Sequence, residues 1–205
     1  MTQTQFLIAS SIILAFIFPL YIYREKVLRF FGIISEDFIG FEIHLKTFLH
    51  ENYPNIKFDF SIIDKLSKEP NTLTKEILII ENIASQFCSP EIKIKNSPNL
   101  EHSAFWPNYI QNSKPIKDKL PPDWNRRVEL LSKLVGSKCQ RCGIVAKPDA
   151  SYLNLRKPIS DGGGYNLENL IYCCTDCHRI INAKDSQKIA KDTNFFEKLK
   201  KFTTN

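Results

Sequence analysis

Two Cys-x-x-Cys pairs, far apart in the chain, constrain its fold more than any other feature. The first holds Cys139 and Cys142, in Cys-Gln-Arg-Cys, and the second holds Cys174 and Cys177, in Cys-Thr-Asp-Cys. A tetrahedral zinc site needs four thiolates brought together from two places in the chain, and this spacing is typical of one. We therefore predict a structural Zn²⁺ bound by these four cysteines. Disulfides or free thiols are the alternative.

The positive charge of the chain is concentrated in the half that contains these cysteines. The 205-residue chain has a formal net charge of +6. Residues 115–205 hold 17 Lys and Arg against 10 Asp and Glu, a net of +7, which leaves 11 against 12 in the rest. A basic region favours a polyanionic partner such as nucleic acid or anionic lipid headgroups. A solvated basic surface is the alternative.

An uncharged apolar segment, FLIASSIILAFIFPLYIY, occupies residues 6–23. Its length is close to the minimum that spans a hydrocarbon core of about 30 Å as a helix. Arg24, Lys26 and Arg29 follow it, and basic residues mark the cytoplasmic flank. We expect a membrane anchor over residues 1–26, in a single-pass protein of the inner or plasma membrane with a cytoplasmic C-terminal body. A buried hydrophobic helix or an uncleaved export signal is the alternative.

The next part of the chain, residues 27–102, predicts a small α+β region of unknown role. Residues 36–53 and 72–87 carry apolar side chains at helical spacing, with Asn71 or Thr72 as the cap of the second helix. Residues 56–63 and 91–95 alternate between apolar and polar and predict short strands. Four prolines in residues 103–122 then indicate a linker.

The cysteine-containing half predicts the order helix, strand, loop, strand, helix. Asp123 is placed to begin a helix that ends before Gly136, and Thr175 begins a second one. Between them, residues 152–155 and 167–172 predict strands on either side of a glycine-rich loop. We expect a zinc module over residues 123–184 and a basic tail over residues 185–205.

This half of the chain resembles the HNH endonuclease family in its cysteine-stapled form. The matching stretches, within residues 121–183, are PPDWNRR, CQRCG and KPISDGGGYNLENLIYCCTDCH. The resemblance implies a ββα-metal fold that cleaves nucleic acid with a divalent metal and an imidazole base. The expected fold class is α+β, with a single N-terminal transmembrane helix, a small α+β region and a C-terminal zinc-stapled HNH-like ββα module.

The resemblance also implies catalytic positions, and this sequence fills them only in part. The histidine pair that ends the first strand in the family falls on Asn154 and Leu155, and the two helix histidines fall on His178 and Asn182. The family's asparagine matches Asn169. The candidate catalytic residues are therefore His178, Asn169 and Asn154. Mg²⁺ or another divalent metal is expected only if the site is active, and loss of a general base costs about 10²–10⁴-fold in rate.

Basic residues around the zinc module make nucleic acid the expected partner. The candidate phosphate contacts are Arg126, Arg127, Lys138, Arg141, Arg156, Lys157 and Arg179. We expect a membrane-anchored HNH-like protein that binds nucleic acid, with absent or impaired phosphodiester cleavage. The alternatives are an active metal-dependent HNH endonuclease with a non-standard general base, and a protein or lipid interaction module.

Overall fold

The computed structural model describes residues 38–97, 105–111, 113–115 and 119–204. Its N-terminal part contains three helices, α1 (Phe38–Asn52), α2 (Ser61–Lys65) and α3 (Thr72–Phe87). Asn71 caps α3, because its side chain accepts a hydrogen bond from the backbone nitrogen of Thr74 at 3.0 Å. The predicted helix is formed, and it buries Ile80, Ile83 and Phe87, whereas the apolar side chains of Ile77 and Leu78 are exposed.

The C-terminal part is built around a two-stranded antiparallel sheet. Its elements are α4 (Trp124–Leu134), β1 (Ser151–Leu155), β2 (Leu170–Cys174), α5 (Thr175–Asn182) and α6 (Asn194–Thr204). Short 3-10 turns occupy Pro148–Ala150, Ile159–Asp161, Leu167–Asn169 and Gln187–Asp192. Asn154 pairs with Ile171 across the sheet, and α5 continues directly from β2. The predicted order of strand, loop, strand and helix is therefore observed.

One buried cluster joins the N-terminal helices, the cysteine pairs and α6. The ring of Phe195 on α6 stacks on Phe87 of α3 with 4.0 Å between centroids, and it meets Tyr53 edge-on at 4.8 Å. Leu199 of α6 is also fully buried. Residues 194–204, which the sequence assigns to a basic tail, form a helix that completes this core.

A second buried cluster lies beneath α4 and includes Leu131, Leu167 and Tyr172. Part of the predicted linker packs beside it. The Trp106 side chain, 9% exposed, donates a hydrogen bond from Nε1 to the Asp123 carboxylate at 3.1 Å. The Tyr109 hydroxyl accepts one from the backbone nitrogen of Leu167 at 3.1 Å. Residues 105–111 are therefore packed against the C-terminal part.

Neither of the strands predicted in the N-terminal part is formed. Residues 56–60 are irregular and run into α2, and residues 91–97 are irregular as well. The second segment lies beside Gln140 through three hydrogen bonds. The Lys95 nitrogen donates to the Gln140 carbonyl at 2.9 Å, and Gln140 Nε2 donates to the Lys95 carbonyl at 2.9 Å and to the Ser97 hydroxyl at 3.0 Å. Residues 91–95 alternate in polarity because Ile94 packs against the core cluster, and no strand pairs with this segment in the described residues.

The predicted membrane anchor requires a correction. Within the described residues, none of the helices is long and apolar enough to cross a bilayer. The longest described helix, α3, has 16 residues, whereas a span needs about 20. The apolar segment at residues 6–23 lies outside the described residues. The fold class is therefore a small α+β chain with a two-stranded sheet. The single-pass location at the inner or plasma membrane and the membrane partnership through residues 6–23 are withdrawn.

Candidate metal centre and the polar site beside it

The four cysteines of the two pairs converge on one point. The sulfur atoms of Cys139, Cys142, Cys174 and Cys177 all lie within 4.8 Å of one another, and 3.8 Å separates those of Cys142 and Cys174. A tetrahedral zinc with bonds of about 2.3 Å places its sulfur ligands about 3.8 Å apart. The four thiols thus fit a zinc ion. In the part of the chain that the structure describes, they are the one group of three or more His, Cys, Asp or Glu side chains placed to hold a metal.

A tight turn positions the first cysteine pair. The backbone nitrogen of Cys139 donates to the Ile144 carbonyl at 2.8 Å, and the nitrogen of Gly143 donates to the Cys139 carbonyl at 2.8 Å. Gly143 has φ of +89°, a conformation that side chains disfavour. A Cβ atom there would also lie 2.8 Å from Cγ of Pro54. The turn therefore needs glycine for its conformation and for its contact with the segment after α1.

The second pair lies at the junction of β2 and α5. Cys174 is the last residue of β2 and the N-cap of α5, and Cys177 lies in the first turn of that helix. The unpaired N–H groups of a helix N-terminus favour nearby negative charge, including thiolates. The two remaining cysteines, Cys88 and Cys173, are buried side chains of the same core cluster. Burial raises the pKa of the Cys88 thiol to about 11, which keeps it protonated.

The four sulfurs cannot all ionise without a cation between them. The pKa of Cys139 lies far below its usual range, because the thiols of Cys142 and its neighbours donate hydrogen bonds to that sulfur. The pKa values of Cys142 and Cys177 lie well above the usual thiol range, because these two thiols keep their protons to donate hydrogen bonds to the sulfur of Cys139. A divalent metal removes this conflict, since it deprotonates the thiols that coordinate it. The donor set and its spacing both favour zinc.

Arg141, between the first two cysteines, points into the protein. Its side chain is 2% exposed, and Nη2 donates to the carbonyl oxygens of Phe87 at 2.7 Å and Ser89 at 2.9 Å. Nη1 lies 3.5 Å from the sulfur of Cys177. Four thiolates around one Zn²⁺ carry an excess of negative charge, and a buried cation beside them offsets part of it. Arg141 therefore lies buried beside the candidate metal centre, although the sequence predicts a phosphate contact at this position.

Two other residues inside the Cys-x-x-Cys motifs also serve the fold, and the sequence gives no signal for either. Gln140 accepts a hydrogen bond from the backbone nitrogen of Tyr172 at 2.6 Å and so joins the first turn to β2. The Asp176 carboxylate accepts one from the backbone nitrogen of Asn194 at 3.0 Å, at the start of α6. Both side chains are buried. They dock the metal centre onto the rest of the protein.

A small polar site lies between β1 and α5. His178 Nδ1 is 3.0 Å from Asn154 Oδ1, and Asn182 Nδ2 donates to the same oxygen at 2.9 Å. The Tyr152 ring stacks on the imidazole with 4.4 Å between centroids, and burial lowers the pKa of His178. The buried Nδ2 of Asn154 faces the weakly accepting sulfur of Cys173 and has no ordinary hydrogen-bond partner in the described chain. The site thus consists of one neutral imidazole and two amides.

The four-cysteine centre lies beside two strands, a glycine-rich loop and a helix that carries His178. This is the arrangement that the resemblance implied. Residues 139–184 match the family model of the HNH endonucleases. No curated protein and no solved structure matches the chain. The matched residues include all four cysteines and the whole polar site, so the resemblance is confirmed for this HNH-like module.

Two further positions of the HNH-like module have clear places in the structure. Asn169 holds the loop closed: its Nδ2 donates to the carbonyls of Lys157 at 2.9 Å and Gly164 at 2.7 Å, and its Oδ1 accepts from the Lys157 nitrogen at 2.8 Å. Leu155, where the family places its general base, packs against the second buried cluster. Asn169 therefore positions the backbone around the polar site, while Leu155 contributes only apolar contact.

The seven predicted phosphate contacts of the HNH-like module differ in exposure. The exposed members are Arg126, Lys138, Lys157 and Arg179. Arg156 is half-buried and donates to the Lys95 carbonyl at 2.6 Å. Arg127 is 1% exposed, and its guanidinium binds both carboxylate oxygens of Asp123, at 2.8 and 2.9 Å. Because Arg127 and Arg141 are buried and their donors are used internally, we withdraw both as phosphate contacts.

Proposed function

We propose that the HNH-like module is a zinc-stapled nucleic-acid-binding unit that cleaves phosphodiesters extremely slowly or not at all. The observation that carries this proposal is the hydrogen-bonded group of His178, Asn154 and Asn182, with 3.0 Å from His178 Nδ1 to Asn154 Oδ1 and 2.9 Å from Asn182 Nδ2 to that oxygen. Amides replace the stronger ligands that the family has at two of these positions. Leu155, at the position of the base, has no proton-accepting group.

The chemistry of phosphodiester hydrolysis explains why this group disfavours cleavage. A divalent metal must bind the scissile phosphate, and a base must take a proton from the attacking water. A neutral amide is a weaker ligand for Mg²⁺ than a carboxylate, and the Oδ1 of Asn154 already accepts from Asn182. Loss of the base alone costs about 10²–10⁴-fold in rate. A weakened metal site adds to that loss.

The binding half of the proposal is supported by the remaining exposed cations. Arg126, Lys138, Lys157 and Arg179 are exposed on a part of the chain with a net charge of +7 over residues 115–205. Contacts from Lys and Arg to phosphates supply most of the affinity of non-specific nucleic-acid binding and make it depend on salt. A neutral cleavage site does not weaken such contacts.

A plasmid assay tests the proposal. The full chain, purified with its zinc, is incubated with supercoiled plasmid and Mg²⁺, Mn²⁺ or Ni²⁺, and a gel shift is run at several salt concentrations. We expect a shifted plasmid, an affinity that falls steeply with salt, and no nicking above the buffer control. Metal-dependent nicking that disappears in the His178→Ala variant would contradict the proposal and establish an active endonuclease. Absence of any shift at low salt would remove nucleic acid as the partner.

We also infer that the metal held by the four cysteines is zinc. Elemental analysis of the purified chain should give about one zinc per molecule, because four thiolates select Zn²⁺ over Mg²⁺, Ca²⁺ and Mn²⁺. The Cys177→Ser variant should hold less, whereas Cys88→Ser, a buried cysteine outside the centre, should retain the full amount. Equal zinc content in the two variants would contradict the assignment.

A further inference from the structure

The groove next to the polar site is lined by apolar and aromatic residues. It has a volume of about 480 Å³, within the range of small-ligand sites. Its walls come from the start of α4, from β1, β2 and the loop between them, and from α5, and they include Trp124, Leu155, Ile159, Tyr165 and Ile181. The Trp124 and Tyr165 rings meet edge-on with 5.3 Å between centroids. The space next to the family's catalytic positions is therefore suited to an uncharged group.

A phosphate would be poorly bound in this groove. Its lining contains no lysine or arginine among the described residues, and its side-chain amides are those of Asn154 and Asn182. An anion moved next to leucine and isoleucine side chains loses hydration that nothing there replaces. A planar heterocycle instead gains from contact with aromatic walls, since every nucleobase has a face that stacks.

One polar atom at the edge of the groove is available to a ligand. Asn182 is exposed, and its Nδ2 is engaged by Asn154 Oδ1 at 2.9 Å and by the His178 carbonyl at 2.8 Å. Its Oδ1 accepts no hydrogen bond from the described residues, so it can accept one from a ligand N–H group. An aliphatic side chain of a protein partner would leave this oxygen unused.

Two exposed lysines are adjacent in sequence to residues that line the groove. Lys119 precedes Leu120 and Lys157 precedes Pro158, and both of these following residues line the groove. We propose that the groove binds one unpaired nucleobase of a nucleic acid, with neighbouring phosphates at the lysines of its rim. This inference rests on the proposed nucleic-acid binding and adds its substrate class, which is nucleic acid with an unpaired base.

Fluorescence anisotropy with three matched DNA probes tests the inference. The probes are a duplex with one unpaired base, the same duplex with an abasic site at that position, and a fully paired duplex. We expect the unpaired base to bind about tenfold more tightly than the abasic probe, because stacking supplies a free energy of that size. Equal affinity for these two probes would overturn the inference.

Single-residue variants distinguish binding of an unpaired base from nucleic-acid binding in general. Leu120→Ala alters a leucine that is 50% exposed in the groove, and Asn182→Ala removes the free amide oxygen. Both should reduce the preference for the unpaired base about fivefold or more, with little change for the paired duplex. Leu78→Ala alters a leucine that is 39% exposed on α3, and it should keep the preference.

The pattern across the probes identifies which proposal fails. Lys138→Ala removes an exposed cation that immediately precedes the first cysteine pair, and it should weaken binding to all three probes alike. Binding to every probe with no preference, in the natural chain and in the groove variants, would contradict the base pocket and leave nucleic-acid binding intact. Absence of binding to any probe at low salt would overturn both.

Discussion

Replacement of Arg141 by methionine tests whether the metal centre needs its buried cation. The guanidinium donates to the carbonyl oxygens of Phe87 and Ser89 at 2.7 and 2.9 Å, and it lies 3.5 Å from the sulfur of Cys177. Methionine has a comparable length and no charge. The variant Arg141→Met therefore keeps much of the packing while it removes all three contacts.

The expected cost follows from the two strong hydrogen bonds. A hydrogen bond to a charged group contributes about 1.5–3 kcal/mol, so the two together contribute roughly 3–6 kcal/mol. Removal of a cation from a buried position offsets part of this loss. We expect the free energy of unfolding to fall by about 2–4 kcal/mol. Loss of a residue that supports metal ligands typically weakens metal affinity about 10–100-fold, and we expect the same here.

Two measurements on the zinc-loaded chain check these values. Urea unfolding followed by circular dichroism gives the free energy of unfolding, and competition with a coloured chelator gives the zinc affinity. Lys138→Met is the matched control, because Lys138 immediately precedes the same cysteine pair and is exposed. It should change stability by less than about 0.5 kcal/mol. If the two variants retain zinc equally well, the guanidinium has no role at the centre and the reasoning is refuted.

Two further variants probe the turn and the polar site. Gly143→Ala should lower the free energy of unfolding in urea by about 1–3 kcal/mol more than Gly136→Ala. Both glycines have positive φ, +89° and +61°, but only a Cβ atom at position 143 would meet a neighbour, at 2.8 Å. Equal costs would contradict the close docking of this turn. The double variant Asn154→Asp with Asn182→His should bind Ni²⁺ at least about tenfold more tightly by calorimetry than the natural chain, because His178 gains a carboxylate and an imidazole beside it. Unchanged affinity would show that these positions do not surround one metal.

The local elements of the module could be predicted because their signals are local. Apolar alternation and a glycine loop predicted β1 and β2, and the cysteine spacing predicted the four-sulfur cluster that the structure brings within 4.8 Å. The family resemblance added the positions of Asn154, His178 and Asn182, which the structure brings within hydrogen-bonding distance. Their chemical roles remain predictions.

The directions of individual side chains could not be predicted in this way. Arg126 and Arg127 are adjacent in sequence and identical in charge, yet the first is exposed and the second is 1% exposed against Asp123. Both contact the predicted linker, but Arg127 donates to the carbonyl oxygens of Tyr165 and Ile110 inside the protein, whereas Arg126 lies over the Trp106 ring and stays exposed. The pattern does not encode these tertiary contacts. The tail was misassigned for a similar reason: its lysines dominate the composition, while Phe195 and Leu199 share one buried side of α6.

The residues inside the two cysteine pairs connect the candidate metal centre to the helices on either side of it. Arg141 binds the end of α3, and Asp176 binds the start of α6. The sulfurs of Cys139 and Cys177 lie in the same buried cluster as the helices on either side. Loss of the metal would therefore loosen the contacts of both helices, whatever the state of the polar site.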